Sequence, residues 1–191
     1  RIVIGSAPED DQGPAAVRRI FRDQELAGIP FVETDLQTAE LVKISANAFL
    51  ATKISFINAM SEVCDAAGAD VLLLAEALGH DARIGPRFLR PGLGFGGGCL
   101  PKDIRALQAR AGEIGAPHAV VFLSEIDAIN RRCRDRVVNQ TQALLNDELL
   151  GARVAVLGAA FKPTTDDIRD SPALDVAGRL HLLGAEVIVY D

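Results

Sequence analysis

What this sequence lacks excludes several classes of protein. It has no excess of basic charge: 20 Lys and Arg stand against 26 Asp and Glu, a formal charge of −6 at pH 7. Nucleic acid is therefore not a default partner, because phosphate binding needs dense local cations and none dominates here. No window approaches a run of about eighteen apolar residues, so no transmembrane helix is expected, and the start Arg1-Ile-Val-Ile-Gly5 lacks the layout of a signal peptide. The expectation is a cytoplasmic chain that does not enter a membrane. Cysteine is scarce. Cys64, Cys99 and Cys133 are an odd count at spacings that fit neither a disulfide framework nor a zinc site, and three histidines add no paired ligand spacing, so no metal is expected. The chain also lacks internal repeats, low-complexity tracts other than one glycine run, and an initiator Met.

What is present is the composition of a globular chain, 49% hydrophobic and 24% charged, at a length suited to one domain or two. It opens in the strand-like run Ile2-Val-Ile-Gly5 and closes in another, Glu186-Val-Ile-Val-Tyr-Asp191, which leads us to expect a piece of a longer polypeptide cut through an α/β unit at each end. Residues 1–34 read as strand, helix (Gly13 to Arg22, with Pro14 in its first turn) and strand (Ile29 to Glu33). From about Asp35 the period becomes helical. Leu36, Leu41, Ile44, Phe49, Ile54, Ile57, Met60 and Cys64 fall close to one face, Asp35 or Thr38 can cap the start, and Gly68 can end it. A short helix over 71–78 follows, then an aperiodic stretch from His80 to Pro101, a helix from near Lys102, and a long one from about Pro117 to Asn146. After Gly151 the texture returns to α/β, with a buried strand from Arg153, a helix from Pro172 and a strand at Val187 to Tyr190. The fold class is thus mixed α and α/β: an all-helical central domain over 35–149, flanked by partial Rossmann-like β-α-β units over 1–34 and 150–191.

Three places carry candidate chemistry. The first is Gly92-Leu-Gly-Phe-Gly-Gly-Gly-Cys-Leu-Pro-Lys-Asp103, where five of the seven positions before Cys99 are glycine. Glycine permits positive φ and close backbone approach, and Pro-Lys-Asp suits the first turn of a helix. Cys99 would then sit just before a helix N-terminus with Lys102 nearby, two features that favour a thiolate. The alternative is a flexible surface loop with a chance cysteine. It is not a Walker loop, since no Gly-Lys-Ser/Thr follows, and no strand precedes it as a dinucleotide fingerprint requires. Cys64 and Cys133, inside long helices, read as small core residues. The second place is Lys43 and Asn47, four apart on one helical face; a cation and an amide there can stabilise an oxyanion, or be an ordinary solvated pair. The third is Gly158 to Pro172, which follows a strand and precedes a helix, with Asp191 ending the next strand. It holds one of the three fingerprint glycines, so a degenerate nucleotide site and a structural turn both stay open, with Lys162 and Arg169 as cations for a phosphate.

Four segments, Glu40 to Asn58, Arg83 to Leu89, Gly94 to Asp103 and Ala160 to Asp175, resemble the UDP-glucose/GDP-mannose dehydrogenase family, in the family's order and across nearly the whole chain. The Ala46-Asn-Ala-Phe-Leu-Ala-Thr-Lys-Ile-Ser-Phe-Ile-Asn58 stretch is most similar to the UDP-glucose branch. The resemblance implies an NAD-dependent, four-electron oxidation of a nucleotide sugar's C6 alcohol to a carboxylate, with Cys99 as the nucleophile that forms a thiohemiacetal and then a thioester. It implies Lys43 and Asn47 as the pair that stabilises the oxyanion and holds water, and Asp103 as the acid/base carboxylate. Substrate contacts carry over to Arg83, in the family sense from a neighbouring subunit, to Arg90, Gly94, Phe95 and Gly96, and to Phe161 and Lys162; Lys102 and Arg169 carry over to the NAD side. Gly98 departs from the serine that many members have before the cysteine. The partners so implied are a UDP-sugar and a second copy of the chain, held through the helical domain by residues such as Phe49, Phe56, Ile57, Phe122 and Ile126. A related UDP-amino-sugar or GDP-mannose dehydrogenase is the alternative activity. An inactive helical oligomerisation module is the alternative for the isolated 191 residues.

Overall fold

A computed structural model describes residues 1–10 and 12–191. The chain clusters into two compact units, 1–47 and 48–191. In the first, β1 (Ile2–Ser6) and β2 (Phe31–Asp35) pair in parallel, Ile2 opposite Phe31 and Ser6 opposite Asp35. Parallel pairing requires a crossover connection, and α1 (Gln12–Ile20) and α2 (Arg22–Leu26) lie within it. The helix read from Gly13 is therefore followed by a second short one. Gly5 lies where β1 meets the start of the next helix: a Cβ there would stand 2.6 Å from the Ala39 Cβ and 3.1 Å from the Leu36 Cα.

The long helix α3 (Leu36–Ala67) starts where the Asp35 carboxylate accepts the Thr38 N–H at 2.7 Å and its hydroxyl at 2.8 Å. Those two bonds, the backbone one foremost, hold the Asp35 carboxyl below the usual carboxylate range. Gly68, at φ 68°, ends the helix, with the Ala69 N–H returning to the Cys64 carbonyl at 2.8 Å. Along α3 the buried positions are Ala48, Ala51, Ser55, Ile57, Asn58 and Cys64, whereas Leu36, Leu41 and Phe49 of the expected apolar face are exposed. At Ala48, Ala51 and Ser55 small side chains face the core of the second unit, with Ile57 buried further along, while Phe49 and Phe56 point outward.

The second unit continues with α4 (Val71–Gly79), whose cap Asp70 accepts the Leu72 N–H at 2.7 Å, an irregular stretch to Cys99, α5 (Leu100–Glu113), a 3-10 turn (Pro117–Val120) and α6 (Phe122–Leu144). The helix expected from Pro117 thus begins as a tighter turn. β3 (Arg153–Leu157) and β4 (Glu186–Tyr190) form a parallel pair joined through α7 (Pro172–Leu182), which Ser171 caps. The expected buried strand is in fact alternating, half-buried at Val154 and Val156 and exposed between them, because α7 packs on one face of a two-stranded sheet. Among the described residues no helix is long and apolar enough to cross a membrane.

Two apolar clusters hold this unit. One gathers Ala48, Ala51, Phe95, Ile104, Leu123 and Ile126; the other gathers Val138, Leu149, Val176, Leu180 and Ala185, with Leu93 packed against it. Helix α6 contributes to both, Leu123 and Ile126 to the first and Val138 to the second. Its middle turns, between those contributions, are polar: Asn130 and Arg134 are buried there. Ile57 and Ile126 are likewise buried within the chain, so they cannot supply the subunit contact expected of them; Phe49, Phe56 and Phe122 are exposed.

Candidate active site

The glycine run is not a flexible surface loop. Residues 95–97 are buried, and the backbone passes between α6 and the segment after β3 so closely that side chains have no room. A Cβ on Gly94 would stand 2.2 Å from the Asn130 Oδ1, one on Gly96 2.0 Å from the Asp170 carbonyl oxygen, and one on Gly97 2.6 Å from the Phe161 ring. Gly94 and Gly97 also have positive φ, 92° and 80°. The Gly97 N–H donates to the Arg169 carbonyl at 2.9 Å. Phe95 is 4% exposed, its ring in the first apolar cluster. Its ring anchors the loop, and Gly94 and Gly96 on either side of it are packed against Asn130 and Asp170.

The loop delivers Cys99 to the N-cap position of α5, with Pro101 in the first turn and the thiol exposed and making no capping bond. The Asp103 N–H closes the first turn on the Cys99 carbonyl at 2.9 Å. The Asp103 carboxylate is buried, and Lys102 Nζ lies 3.5 Å from its Oδ1. The other two cysteines differ in kind. Cys64 and Cys133 are buried, and burial, with Glu62 adding to it, pushes the Cys133 thiol up.

The segment from Gly158 to Ser171 closes over the loop. Lys162 Nζ stands 5.3 Å from the Phe161 ring centroid, and the Phe161 ring adjoins the bare backbone at Gly97. The Arg169 guanidinium lies against Gly98, 3.2 Å from where a Cβ would be. Its Nε and Nη2 donate to the two Asp167 oxygens at 3.0 and 2.6 Å, and its backbone N–H donates at 2.9 Å. Asp167 raises the Arg169 pKa, and the charge of Cys99 raises it further as a smaller contribution. The same fork, with the Arg169 N–H second, holds the Asp167 carboxyl down at about 2, against an ordinary 3.8. A depressed carboxylate stabilises the fold above its unfolded value and loses that stabilisation as the pH falls through its folded one. The closing segment is therefore expected to loosen between about pH 4 and about pH 2. An NMR titration should give Asp167 a midpoint near 2 that moves back toward 3.8 in Arg169→Ala; the same midpoint in both proteins would remove the fork as its cause. Asp191, read as the end of this strand, directly follows β4, and its Oδ2 accepts the Ala159 and Ala160 N–H groups at 2.7 and 2.8 Å.

In the first unit, Lys43 and Asn47 lie one turn apart on α3, as their spacing predicts. Arg83 is exposed and forked onto Asp81, with Nη2 to Oδ2 at 2.6 Å, which raises the Arg83 pKa. It lines a cleft of about 280 Å³ with Phe49, Lys53, Phe56 and Leu89, a lining that does not include Cys99. Lys53 is fixed in that cleft by the carbonyls of Ile84 and Gly85 at 2.9 and 3.2 Å. Arg90 is exposed at the approach to the glycine loop.

Sequence reasoning passed over Asn58, Asn130 and Arg134, the polar groups that hold the loop. The signal was present in α6: Asn130 lies on the helical stripe of Leu123, Ile126, Cys133 and Val138, and an amide on an apolar stripe has to be bonded inside the protein.

The pattern of the UDP-glucose/GDP-mannose dehydrogenase family's central domain matches residues 37–132, and that of its UDP binding domain matches residues 155–191. A UDP-glucose 6-dehydrogenase of Bacillus subtilis is 41% identical over the whole of this chain and 42% of its own length, and one of Rhizobium meliloti 40% identical over the whole chain and 43% of its own. The UDP-glucose dehydrogenase structure from the archaeon Pyrobaculum islandicum superimposes with a TM-score of 0.89 at 35% identity, over 98% of this chain and 41% of that one. A UDP-D-ManNAc dehydrogenase structure from Pyrococcus horikoshii gives 0.80 at 27%, over 99% of this chain and 43% of that one. The chain spans about two-fifths of the length of these relatives.

Proposed function

Because the chain belongs to the UDP-glucose/GDP-mannose dehydrogenase family, we propose that it works as the middle of an enzyme that oxidises the C6 alcohol of UDP-glucose to the carboxylate of UDP-glucuronate. The observation that carries this reading is the exposed Cys99 thiol at the start of α5, delivered by a buried loop and with the Arg169 guanidinium beside it. A rigid approach and a nearby cation are what a nucleophilic thiolate needs. The domains read from the sequence, 1–34, 35–149 and 150–191, take the roles of the end of the cofactor domain, the central domain and the start of the UDP-sugar domain.

Cys99 Sγ attacks the C6 aldehyde, forming a C–S bond, and the carbonyl oxygen becomes the oxyanion of a thiohemiacetal. The family resemblance gives Lys43 and Asn47, an ammonium and an amide donor, the role of stabilising that oxygen. After the second oxidation the adduct is a thioester; water attacks its carbonyl carbon, the C–S bond breaks, and Cys99 is released. Asp103 takes the proton of that water. Phe161 and Lys162 hold the uridine diphosphate by ring and cation, Arg83 and Arg90 meet the sugar's side, and the glycine run bounds the pocket. NAD, when bound, supplies the acceptor for each of the two hydrides. Lys102 and Arg169, both exposed cations next to Cys99, have the chemistry to hold its anionic part.

Exposed Phe49 and Phe56 beside the Arg83 cleft support a homodimer formed through the helical domain. The test of the substrate is turnover of the full-length protein on UDP-glucose, a UDP-amino-sugar and GDP-mannose. UDP-glucose is expected to be the preferred substrate, and a clear preference for either of the others would move the proposal to that branch.

A further inference from the structure

The glycine loop needs a device to hold it, because a segment so rich in glycine loses more conformational freedom on ordering than any other. That device lies on α6. Asn130, 2% exposed, brackets the Phe95 peptide: its Oδ1 accepts the Phe95 N–H at 2.7 Å and its Nδ2 donates to the Phe95 carbonyl at 2.9 Å. One turn on, Arg134, 7% exposed, donates through Nη2 to the same carbonyl at 3.1 Å. Its Nη1 reaches Asp170 Oδ1 at 3.4 Å and Asp175 Oδ2 at 3.3 Å, the first just before the Ser171 cap of α7 and the second in its first turn. Among the described residues the Arg134 Nε is buried with no partner, so this side chain is not placed there to satisfy itself. Both residues act on the Phe95 peptide, four residues before Cys99.

Resting on the proposed activity, we infer that Asn130 and Arg134 are positioning residues: together they fix the Phe95 peptide, and through it the path of the chain to Cys99, while Arg134 ties that path to the segment carrying Phe161 and Arg169. The physical case is that Phe95 is seized at three points, its ring in the apolar cluster and both of its peptide groups by α6. Gly96 and Gly97, which follow, are then pressed onto Asp170 and bonded to Arg169. Removing the polar bracket leaves the ring as the only fixed point of Phe95 and loosens the glycines after it, which misplaces the thiol without removing it.

The test uses the full-length protein with Asn130→Ala and Arg134→Lys; the latter keeps the charge for Asp170 and Asp175 but lacks the fork that also reaches Phe95. Hydrogen exchange should accelerate about tenfold or more at the Phe95 and Gly97 amides while the amides of α5 around Ile104 keep their wild-type rates. The kcat on UDP-glucose should fall about 10- to 100-fold with KM changed about threefold or less. If Asn130→Ala does not fold, Asn130→Asp, which keeps the acceptor for the N–H and loses the donor to the carbonyl, is read by the same two measurements. Loop exchange and kcat within about twofold of wild type in folded variants would overturn the inference. So would acceleration spread equally over α5 and α6, which is the mark of general loosening. A wild-type protein that forms no NADH would instead overturn the proposed activity, and the exchange rates would still decide whether α6 holds the loop.

Discussion

Replacing Cys99 with alanine in the full-length protein is expected to lower kcat for NADH formation from UDP-glucose by at least about 10³-fold, with little change in stability. The expectation of an intact fold comes from the site itself. The thiol is exposed, makes no capping bond, and belongs to neither apolar cluster, so alanine removes one surface atom and leaves no cavity. The expectation of lost turnover comes from the chemistry. An aldehyde can be carried to the acid only through an adduct from which a second hydride can leave, and Cys99 Sγ is the exposed nucleophile to which the glycine loop leads. Alanine at Cys64 or Cys133, by contrast, removes a buried sulfur from a helix, and its effect should appear in stability more than in kcat. Steady-state kinetics and thermal unfolding of the three variants check both halves. A Cys99→Ala protein that turns over within about tenfold of wild type would remove Cys99 from the role.

The second large effect is expected at Gly96. An alanine Cβ there would stand 2.0 Å from the Asp170 carbonyl oxygen, 2.8 Å from Pro172 Cδ and 3.1 Å from the Asp170 carbonyl carbon. All three belong to backbone or to a proline ring at the start of α7, none of which yields by a rotamer change. The loop and the segment after β3 must separate, breaking the Gly97 N–H bond to Arg169 as they do. The cost is expected at about 3 kcal/mol, the upper end for overpacking a filled interior. Gly98 is the control two residues along: its Cβ would meet the far end of the exposed Arg169 side chain at 3.2 Å, and that side chain can move. Gly98→Ser, which restores the serine that many members of the family carry, should change stability by about 0.5 kcal/mol or less. Denaturant unfolding decides between them. Equal costs at the two glycines would mean that the packing against Asp170 is not what fixes the loop.

The contrast between these two glycines shows what was legible in the sequence and what was not. Local rules read well where the cause is local. The Asp35 cap, the Gly68 terminus, the Pro172 helix start and the strand from Arg153 depend on residues within a turn of themselves, and they lie where the sequence places them. The glycine run could be read as permissive backbone before a helix. Which glycine is indispensable could not be read, because that depends on Asp170, Phe161 and Asn130, between 36 and 74 positions away in the chain from the glycines they meet. The same limit explains α3. Its large apolar residues form a stripe in sequence, but the neighbouring loop and α6 come close enough that Ala48, Ala51 and Ser55 are what fit, with the Ser55 hydroxyl donating to the Ile126 carbonyl at 2.9 Å. Phe49 and Phe56 were thereby turned outward, and Ile57 and Ile126, read as interface residues, became core. Phe95 follows the same logic: its ring is buried in the first apolar cluster, a position that depends on Ala48, Ala51, Leu123 and Ile126, distant in the chain.

In the proposed site, bare backbone is held by distant side chains so that one thiol and a few cations can face a ligand. The −6 charge of the chain is the background field against which the proposed cations of the second unit, Arg83, Lys102, Lys162 and Arg169, would act. The most direct test is the stoichiometry of the full-length protein. With limiting UDP-glucose and excess NAD, run to completion, two equivalents of NADH per UDP-glucose and a UDP-glucuronate product are the predicted result. A single equivalent with an aldehyde product, or no NADH at all, would contradict the account.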